Sequence, residues 1–423
     1  MRGKSAVALG WFQTCQKILP HNGVLPLSPQ LRNNSFVDTI YLDHNATTPI
    51  HPEVVEAMRL CYAAGYANPA SQHRPGQTAR RVLEDAREQV AELLGANLSH
   101  PNPDRLLFTG GGTESNNLAV LGLCRTGGNV PGQLVISAME HHSVIGPAEY
   151  LLEQGWRLDT MSVNPDGVVR AEQLAGLLGP ETRLVSIMLA NHETGVLQPV
   201  ERLAAECEAA GIPMHTDAVQ VAGKLPIDFR GLHVSALSVA AHKFRGPPAI
   251  GALLLRHDAR LAPLTFGGHQ QRGLRPGTEP VALAVGMATA LKLWRREYEA
   301  HLKHLTELRD GLEAGLKRGR PDVVIHGQAA QRLPQTSNVA FPGLDGQMLL
   351  MALDLAGVAC SVGSACDSGS TELSPTLRAM GLPNHLVRSS LRLSVGATNT
   401  IEQIDEAVCR ILNVCRELAS DVS

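Results

Sequence analysis

Leu237-Ser238-Val239-Ala240-Ala241-His242-Lys243 is an apolar run that ends on a polar pair, and Phe244-Arg245-Gly246-Pro247-Pro248 follows with the residues of a turn. The pattern predicts a buried strand that delivers Lys243 to its end. Upstream, Ile212-Pro213-Met214-His215-Thr216-Asp217-Ala218-Val219-Gln220 repeats the plan, an apolar strand stopping at an acid. In open α/β sheets the carboxyl ends of strands line the ligand crevice, so Asp217 and Lys243 are expected in one pocket.

The flanking sequence extends this sheet. Strand-like runs recur at 105–109, 133–137, 184–189 and 249–255, with helical patterns from Pro52, over 75–94, 116–123, 144–154 and 200–210. Such alternation predicts a largely parallel sheet covered on both faces. Between the first of these strands and its helix lies Gly110-Gly111-Gly112-Thr113-Glu114-Ser115. Strand, glycines and helix together point backbone N–H groups at an anion, and the helix dipole adds to the attraction. The spacing is neither that of a Walker loop nor Gly-x-Gly-x-x-Gly, which weakens the nucleotide readings.

A long helical pattern over 280–317 leads to a second region with strands near 337–341 and 391–395. Thr400-Ile401-Glu402-Gln403 has the form of a capping box, and Ile404, Val408, Ile411 and Leu412 give the last helix an apolar face. Two polar turns, Asp43-His44-Asn45-Ala46-Thr47-Thr48-Pro49 and Ala67-Asn68-Pro69-Ala70-Ser71, fit capping and turn formation.

An amine that forms a Schiff base and an acid that holds a pyridinium nitrogen are the two groups pyridoxal 5'-phosphate (PLP) demands of a protein. Lys243 and Asp217 satisfy that demand, although a buried lysine–aspartate pair or two unrelated surface charges account for them equally when read alone. Thr113, His141 and Asn191 add polar groups at further strand ends.

Composition narrows the classes. The chain has 423 residues, 44% hydrophobic and 18% charged, with net charge −3 and a pI near 6.6. That length favours two domains, and the absence of a basic stripe argues against nucleic acid or an anionic membrane as partner. No apolar run reaches the length of a membrane span. The eight cysteines, Cys15, Cys61, Cys124, Cys207, Cys360, Cys366, Cys409 and Cys415, form no Cys-x-x-Cys, and there is no His-Glu-x-x-His. Free thiols in a reducing compartment and no metal site are expected.

Residues 1–37 carry Arg2, Lys4, Lys17 and Arg32 and no acid. This is the charge bias of an organelle transit peptide, and a disordered extension explains it as well. A cytoplasmic protein is the expectation, with a mitochondrion or other organelle as the alternative.

Cys366 lies in Val362-Gly363-Ser364-Ala365-Cys366-Asp367-Ser368-Gly369-Ser370-Thr371, whose composition predicts a flexible loop with an exposed, reactive thiol. Arg392 faces away from the leucines of Ser390-Leu391-Arg392-Leu393-Ser394; it is read either as part of a solvated strand face or as a bidentate clamp on a carboxylate.

Together the segments YLDHNATTP, GGGTESNN, NHETGVLQPV, HTDAVQ, AHK, RPGTE (Arg275 to Glu279) and SVGSAC resemble the NifS/IscS-type cysteine desulfurases of the class-V aminotransferase family, from about Tyr41 to the end. The resemblance implies a PLP-dependent transferase of fold type I, α/β in class, with a mostly parallel sheet in a large domain and a smaller α/β domain, working as a homodimer. The expected division is 1–39 as an extension, 40–52 as a strand and turn of the small domain, 53–295 as the large domain and 296–423 as the small domain with the cysteine loop.

It also implies roles. Lys243 carries PLP, Asp217 pairs with the ring nitrogen, Gln220 bonds the phenolic oxygen and His141 stacks on the ring. Gly112, Thr113 and His242 hold the phosphate, and Thr278 reaches the partner subunit's phosphate. Asn191 and Arg392, with Asn68 nearby, bind the carboxylate of an L-cysteine substrate. Cys366 takes its sulfur as a persulfide, leaving L-alanine, for an acceptor protein such as an iron–sulfur scaffold. Selenocysteine lyase, an ordinary PLP aminotransferase and a non-catalytic scaffold of the same fold are the competing readings. Three features depart from the family pattern: Ala240 stands where many relatives have a phosphate-binding serine, Asp367 places a carboxylate beside the nucleophile, and the amino-terminal extension has no family counterpart.

Overall fold

The apolar runs on either side of Asp217 and Lys243 form the middle of a seven-stranded sheet. Its strands are β2 (Arg105–Thr109), β3 (Gln133–Ser137), β4 (Arg157–Met161), β5 (Thr182–Ser186), β6 (Met214–Asp217), β7 (Ala236–Ala240) and β8 (Gly251–Leu255), in the spatial order β2-β8-β7-β6-β5-β3-β4. All neighbouring pairs are parallel except those of β8, which runs against both β2 and β7. The structure is a computed structural model and describes residues 38–126, 128, 130–363 and 373–420; Ile40–Ser423 forms one compact unit.

The strands follow from their side chains. β7 and β8 are buried along their whole length and consist of apolar and small residues, as befits strands covered on both faces. β4 (Arg-Leu-Asp-Thr-Met) was not anticipated, since its charged and polar residues hide any apolar run. Its place at the sheet edge explains that composition, because charge on an edge strand discourages further pairing.

Helices cover the sheet: α1 (Pro52–Ala63), α2 (Arg74–Leu93), α3 (Gly112–Cys124), α4 (His142–Glu153), α5 (Val200–Ala209) and α6 (Val281–Gly319). In α2 the His73 side chain accepts from Gly76 N at 3.2 Å, Pro75 sits in the first turn, and Ala79, Leu83, Ala86 and Val90 form one buried stripe. Burying a leucine or valine of that stripe is worth roughly 1.5–3 kcal/mol.

A second apolar cluster joins Ile40 and Leu42 to Leu305, Leu312, Val339, Leu349, Leu391 and Ile411. It packs a three-stranded antiparallel sheet, β9 (Val324–Ile325), β10 (Thr336–Ala340) and β12 (Ser390–Ser394), against α6, α7 (Gly346–Leu355) and α9 (Ile401–Ser420). β1 (Ile40–Tyr41) pairs in parallel with β11 (Val358–Ala359). The position 295/296 falls inside α6, whose residues up to Leu293 belong to the first cluster and from Leu305 to the second. The capping box of α9 closes reciprocally: Gln403 N donates to Thr400 Oγ1 at 3.2 Å and Thr400 N to Gln403 Oε1 at 3.3 Å.

Candidate active site

β7 ends at Ala240, and a single 3-10 turn, Ala241–Lys243, carries the lysine past the sheet edge. Lys243 Nζ donates to the carbonyls of Asn45 at 2.6 Å and Ala46 at 2.9 Å, in the turn that follows β1. Asp217, the last residue of β6, is almost fully buried. Its Oδ1 accepts from Val219 N at 2.9 Å and its Oδ2 from Asn116 Nδ2 at 2.6 Å.

Lys243 and Asp217 line one cavity of about 350 Å³. Gly112, Thr113, His141, Gln220, His242 and Arg392 share its wall, so eight residues expected from the sequence converge there. Gln220 donates to the Asn45 carbonyl at 3.1 Å, and His242 Nδ1 lies 3.1 Å from Thr47 Oγ1. Burial, with the charges of Lys243 and Lys224 adding to it, pushes the His242 imidazole down to about 4. His141 caps α4 by accepting from Ser143 N at 3.1 Å, and its ring centroid lies 5.2 Å from that of His192. Burial also lowers the His141 and His192 imidazoles, which keeps both neutral at pH 7.

The phosphate side rests on backbone geometry. Gly111 (φ 148°) begins α3 without a side-chain cap, and a Cβ on Gly112 would lie 2.9 Å from the Val219 side chain. The first turn of α3 thus presents uncapped N–H groups beside Thr113 in the cavity wall.

Arg392 is 2% exposed, so it does not belong to a solvated strand face. Its guanidinium donates to Asp43 Oδ1 at 2.8 Å and to the His192 carbonyl at 3.2 Å, while Nε has no hydrogen-bond partner among the described residues. The backbone of Arg392 bridges Ser361 in both directions, at 2.7 and 3.2 Å. Ser361 stands two residues before the end of the described chain ahead of Cys366, which itself lies outside the described residues. On the far side of that segment Ser374 donates to the buried Glu193 carboxylate at 2.7 Å and caps α8 (Pro375–Ala379).

Three expected residues do not line the cavity. The Asn68 side chain is exposed and accepts from Ala70 N at 2.9 Å, which is turn formation. Asn191 Oδ1 accepts from Glu193 N and Thr194 N, both at 2.9 Å, while its amide donates to Met139 O at 3.3 Å. Thr278 is exposed in a loop held by two ion pairs, Arg275 with Glu114 at 2.7 Å and Glu279 with Arg87 at 2.6 Å. Conversely, Asn45, Asn116, Ser143 and His192 line the cavity without having been singled out. Asn45, Asn116 and His192 lie in quoted motifs, Ser143 precedes the helical run 144–154, and the signal for Asn116 is its place one helical turn beyond Gly112.

The donor set fits PLP. Asp217 offers a buried carboxylate to a ring N–H, Gln220 a donor amide, α3 an anion-binding terminus, and Lys243 an amine across the same cavity. Asn116 Oδ1 and both His192 ring nitrogens, which belong to residues lining this cavity, are buried without a hydrogen-bond partner among the described residues.

Residues 40–407 match the family described as Aminotransferase class-V. The chain belongs to the class-V aminotransferase family. Enzymes of this family generally depend on PLP. The "IscS-like cysteine desulfurase" of Mycobacterium tuberculosis is 42% identical to this chain over 375 residues, covering 87% of this chain and 94% of that protein. "Cysteine desulfurase NifS" of Azotobacter vinelandii is 37% identical over 381 residues, covering 90% and 93%. A solved "NifS-like protein" superimposes with a TM-score of 0.83 at 33% identity, over 90% of this chain and 100% of that one. Among the described residues no helix is long and apolar enough to cross a membrane.

Proposed function

We propose that this member of the class-V aminotransferase family is a PLP-dependent cysteine desulfurase that converts L-cysteine to L-alanine and passes the sulfur through a persulfide on Cys366. The observation that carries this reading is the convergence of Lys243, Asp217 and Arg392 on one cavity, with the strand of Arg392 bridged to Ser361 at the root of the Cys366 segment. The relatives named as cysteine desulfurases support it over more than four-fifths of the chain.

Bound PLP supplies an electron-poor ring that stabilises negative charge at the substrate Cα. Lys243 would hold the cofactor, and its amine would take and return the Cα proton. Asp217, fixed by Asn116 and Val219 N, would hold the ring-nitrogen proton, and the first turn of α3 with Thr113 and His242 would hold the phosphate. Arg392 clamps the substrate carboxylate, with Nε available and Asp43 fixing its other end. The Cys366 thiolate attacks the substrate sulfur: the S–S bond forms, the Cβ–S bond breaks, and its electron pair ends on the carbon that is protonated to give alanine. Asn191 acts by shaping the turn before His192 rather than by touching substrate.

The same reading divides the chain into large and small domains at α6 and makes the protein a homodimer, with Thr278 reaching the partner subunit's phosphate site. It passes sulfur to an acceptor protein for iron–sulfur cluster or thio-cofactor synthesis. The cytoplasm is its compartment, or an organelle if residues 1–37 direct transit.

The test is to expose the PLP-loaded protein to L-cysteine and to L-selenocysteine without reductant and map the products. Alanine from L-cysteine with persulfide on Cys366, abolished in Cys366→Ser, is expected. Persulfide formed equally by Cys366→Ser would contradict the assignment, and turnover of selenocysteine alone would assign a lyase.

A further inference from the structure

Behind the turn that carries Lys243 lies a second buried lysine to which the reaction assigns no task. Lys224 follows Gly223, whose φ of 71° brings the chain so close to Phe244 that a Cβ would lie 2.1 Å from the phenylalanine Cβ. Only glycine permits that approach. It presses Lys224 against the Lys243 turn, and the Lys224 ammonium donates to the carbonyl oxygen of Lys243. The adjoining carbonyl, that of His242, accepts from Thr48 N at 3.0 Å and Thr48 Oγ1 at 2.7 Å. Two consecutive carbonyls of the catalytic turn are therefore held from behind.

The surroundings give Lys224 no acid of its own. It is 7% exposed and lines a small cavity of about 30 Å³. Facing that cavity are His44 and His51 from the chain after β1, Arg245 from the lysine turn, and Glu297 and His301 from α6. No carboxylate stands within ion-pair distance of Lys224 among the described residues, and Glu297 is itself exposed and paired with Arg296. Burial pushes the Lys224 ammonium down to about 7, with the positive charge of Lys243 as the second cause. That repulsion is mutual: a proton on Lys224 disfavours one on the Lys243 nitrogen.

We propose that Lys224 is a positioning residue for Lys243, holding its carbonyl from behind and setting a positive charge against its side-chain nitrogen. Below about pH 7, where Lys224 holds its proton, the charge makes the Lys243 nitrogen readier to give up its own, as a residue that must serve as a base requires. The inference rests on the reading of Lys243 as the Schiff-base lysine.

The test is a pH titration of the visible Schiff-base absorbance of the PLP-loaded protein and of two variants. Lys224→Gln keeps a donor for the carbonyl and removes the charge; Lys224→Arg keeps both. The expected result is an upward shift of the titration midpoint by up to about one pH unit in Lys224→Gln, and a midpoint at or below that of the wild type in Lys224→Arg, whose charge does not titrate. Should Lys224→Gln fail to fold, Lys224→Met, which fills the space with an apolar chain, gives the same reading. A Schiff-base band with the same midpoint in all variants, or the same shift in the Gln and Arg variants, overturns the proposal. Failure of the underlying reading looks different, because the wild type would then show no Schiff-base band, or one that Lys243→Ala leaves in place.

Discussion

Lys243 and Lys224 are both largely buried and lie on opposite sides of one turn, yet the spaces they face differ in kind. In front of Lys243 is a cavity of about 350 Å³ with the Asp217 carboxylate, an uncapped helix terminus and a buried arginine. Behind it, Lys224 faces about 30 Å³ ringed by imidazoles held neutral, with His44 and His301 both pushed down to about 4 chiefly by burial. An amine becomes chemically useful when an acid, an anion site and room for a ligand face it together. An amine without them serves to hold backbone and to place charge.

The strongest way to break this contrast is to remove the acid from the front cavity. Asp217→Asn keeps an acceptor for Val219 N but not the charge, and alanine release is expected to fall by about 10²-fold or more while the chain stays folded. Steady-state kinetics check this, and a loss under threefold would mean that the front cavity does not need its acid. Next in size is Arg392→Lys, which keeps charge but loses the fork that spans Asp43 and the cavity. KM for L-cysteine should rise about tenfold with a smaller change in kcat. An unchanged KM would remove Arg392 from carboxylate binding.

The smallest effect concerns the buried Glu140, whose carboxyl burial pushes up to about 8 against hydrogen bonds from Ser137 and Met188 N. A raised acid adds stability that is whole below its unfolded value near 4.5 and is lost as pH climbs through about 8. Glu140→Gln carries no such loss. Its thermal midpoint should gain on that of the wild type by about 3 °C between pH 5 and pH 8.5, read by calorimetry. Parallel pH curves would place the Glu140 proton elsewhere.

The front cavity was legible in the sequence because strand ends leave a signature: Asp217 and Lys243 each close an apolar run, and parallel strands bring such ends together. Turn residues leave no comparable signature. Asn68 and Asn191 are equally apt as ligands or as turn formers, and the structure shows their amides bonding their own turns. β4 escaped notice because an edge strand reads as polar. The placement of Lys224 depends on Gly223 meeting Phe244, a contact across 21 residues that no local pattern encodes. Alternation fixes which face Arg392 takes but not what covers that face, so the sequence alone does not separate solvent from ligand there.

The most direct test of the central claim is borohydride reduction of the PLP-loaded protein, which fixes the cofactor to whichever lysine holds it, followed by peptide mapping. The account predicts the added mass on Lys243 and none on Lys224. Cofactor fixed to Lys224, or to a lysine outside the front cavity, would contradict it.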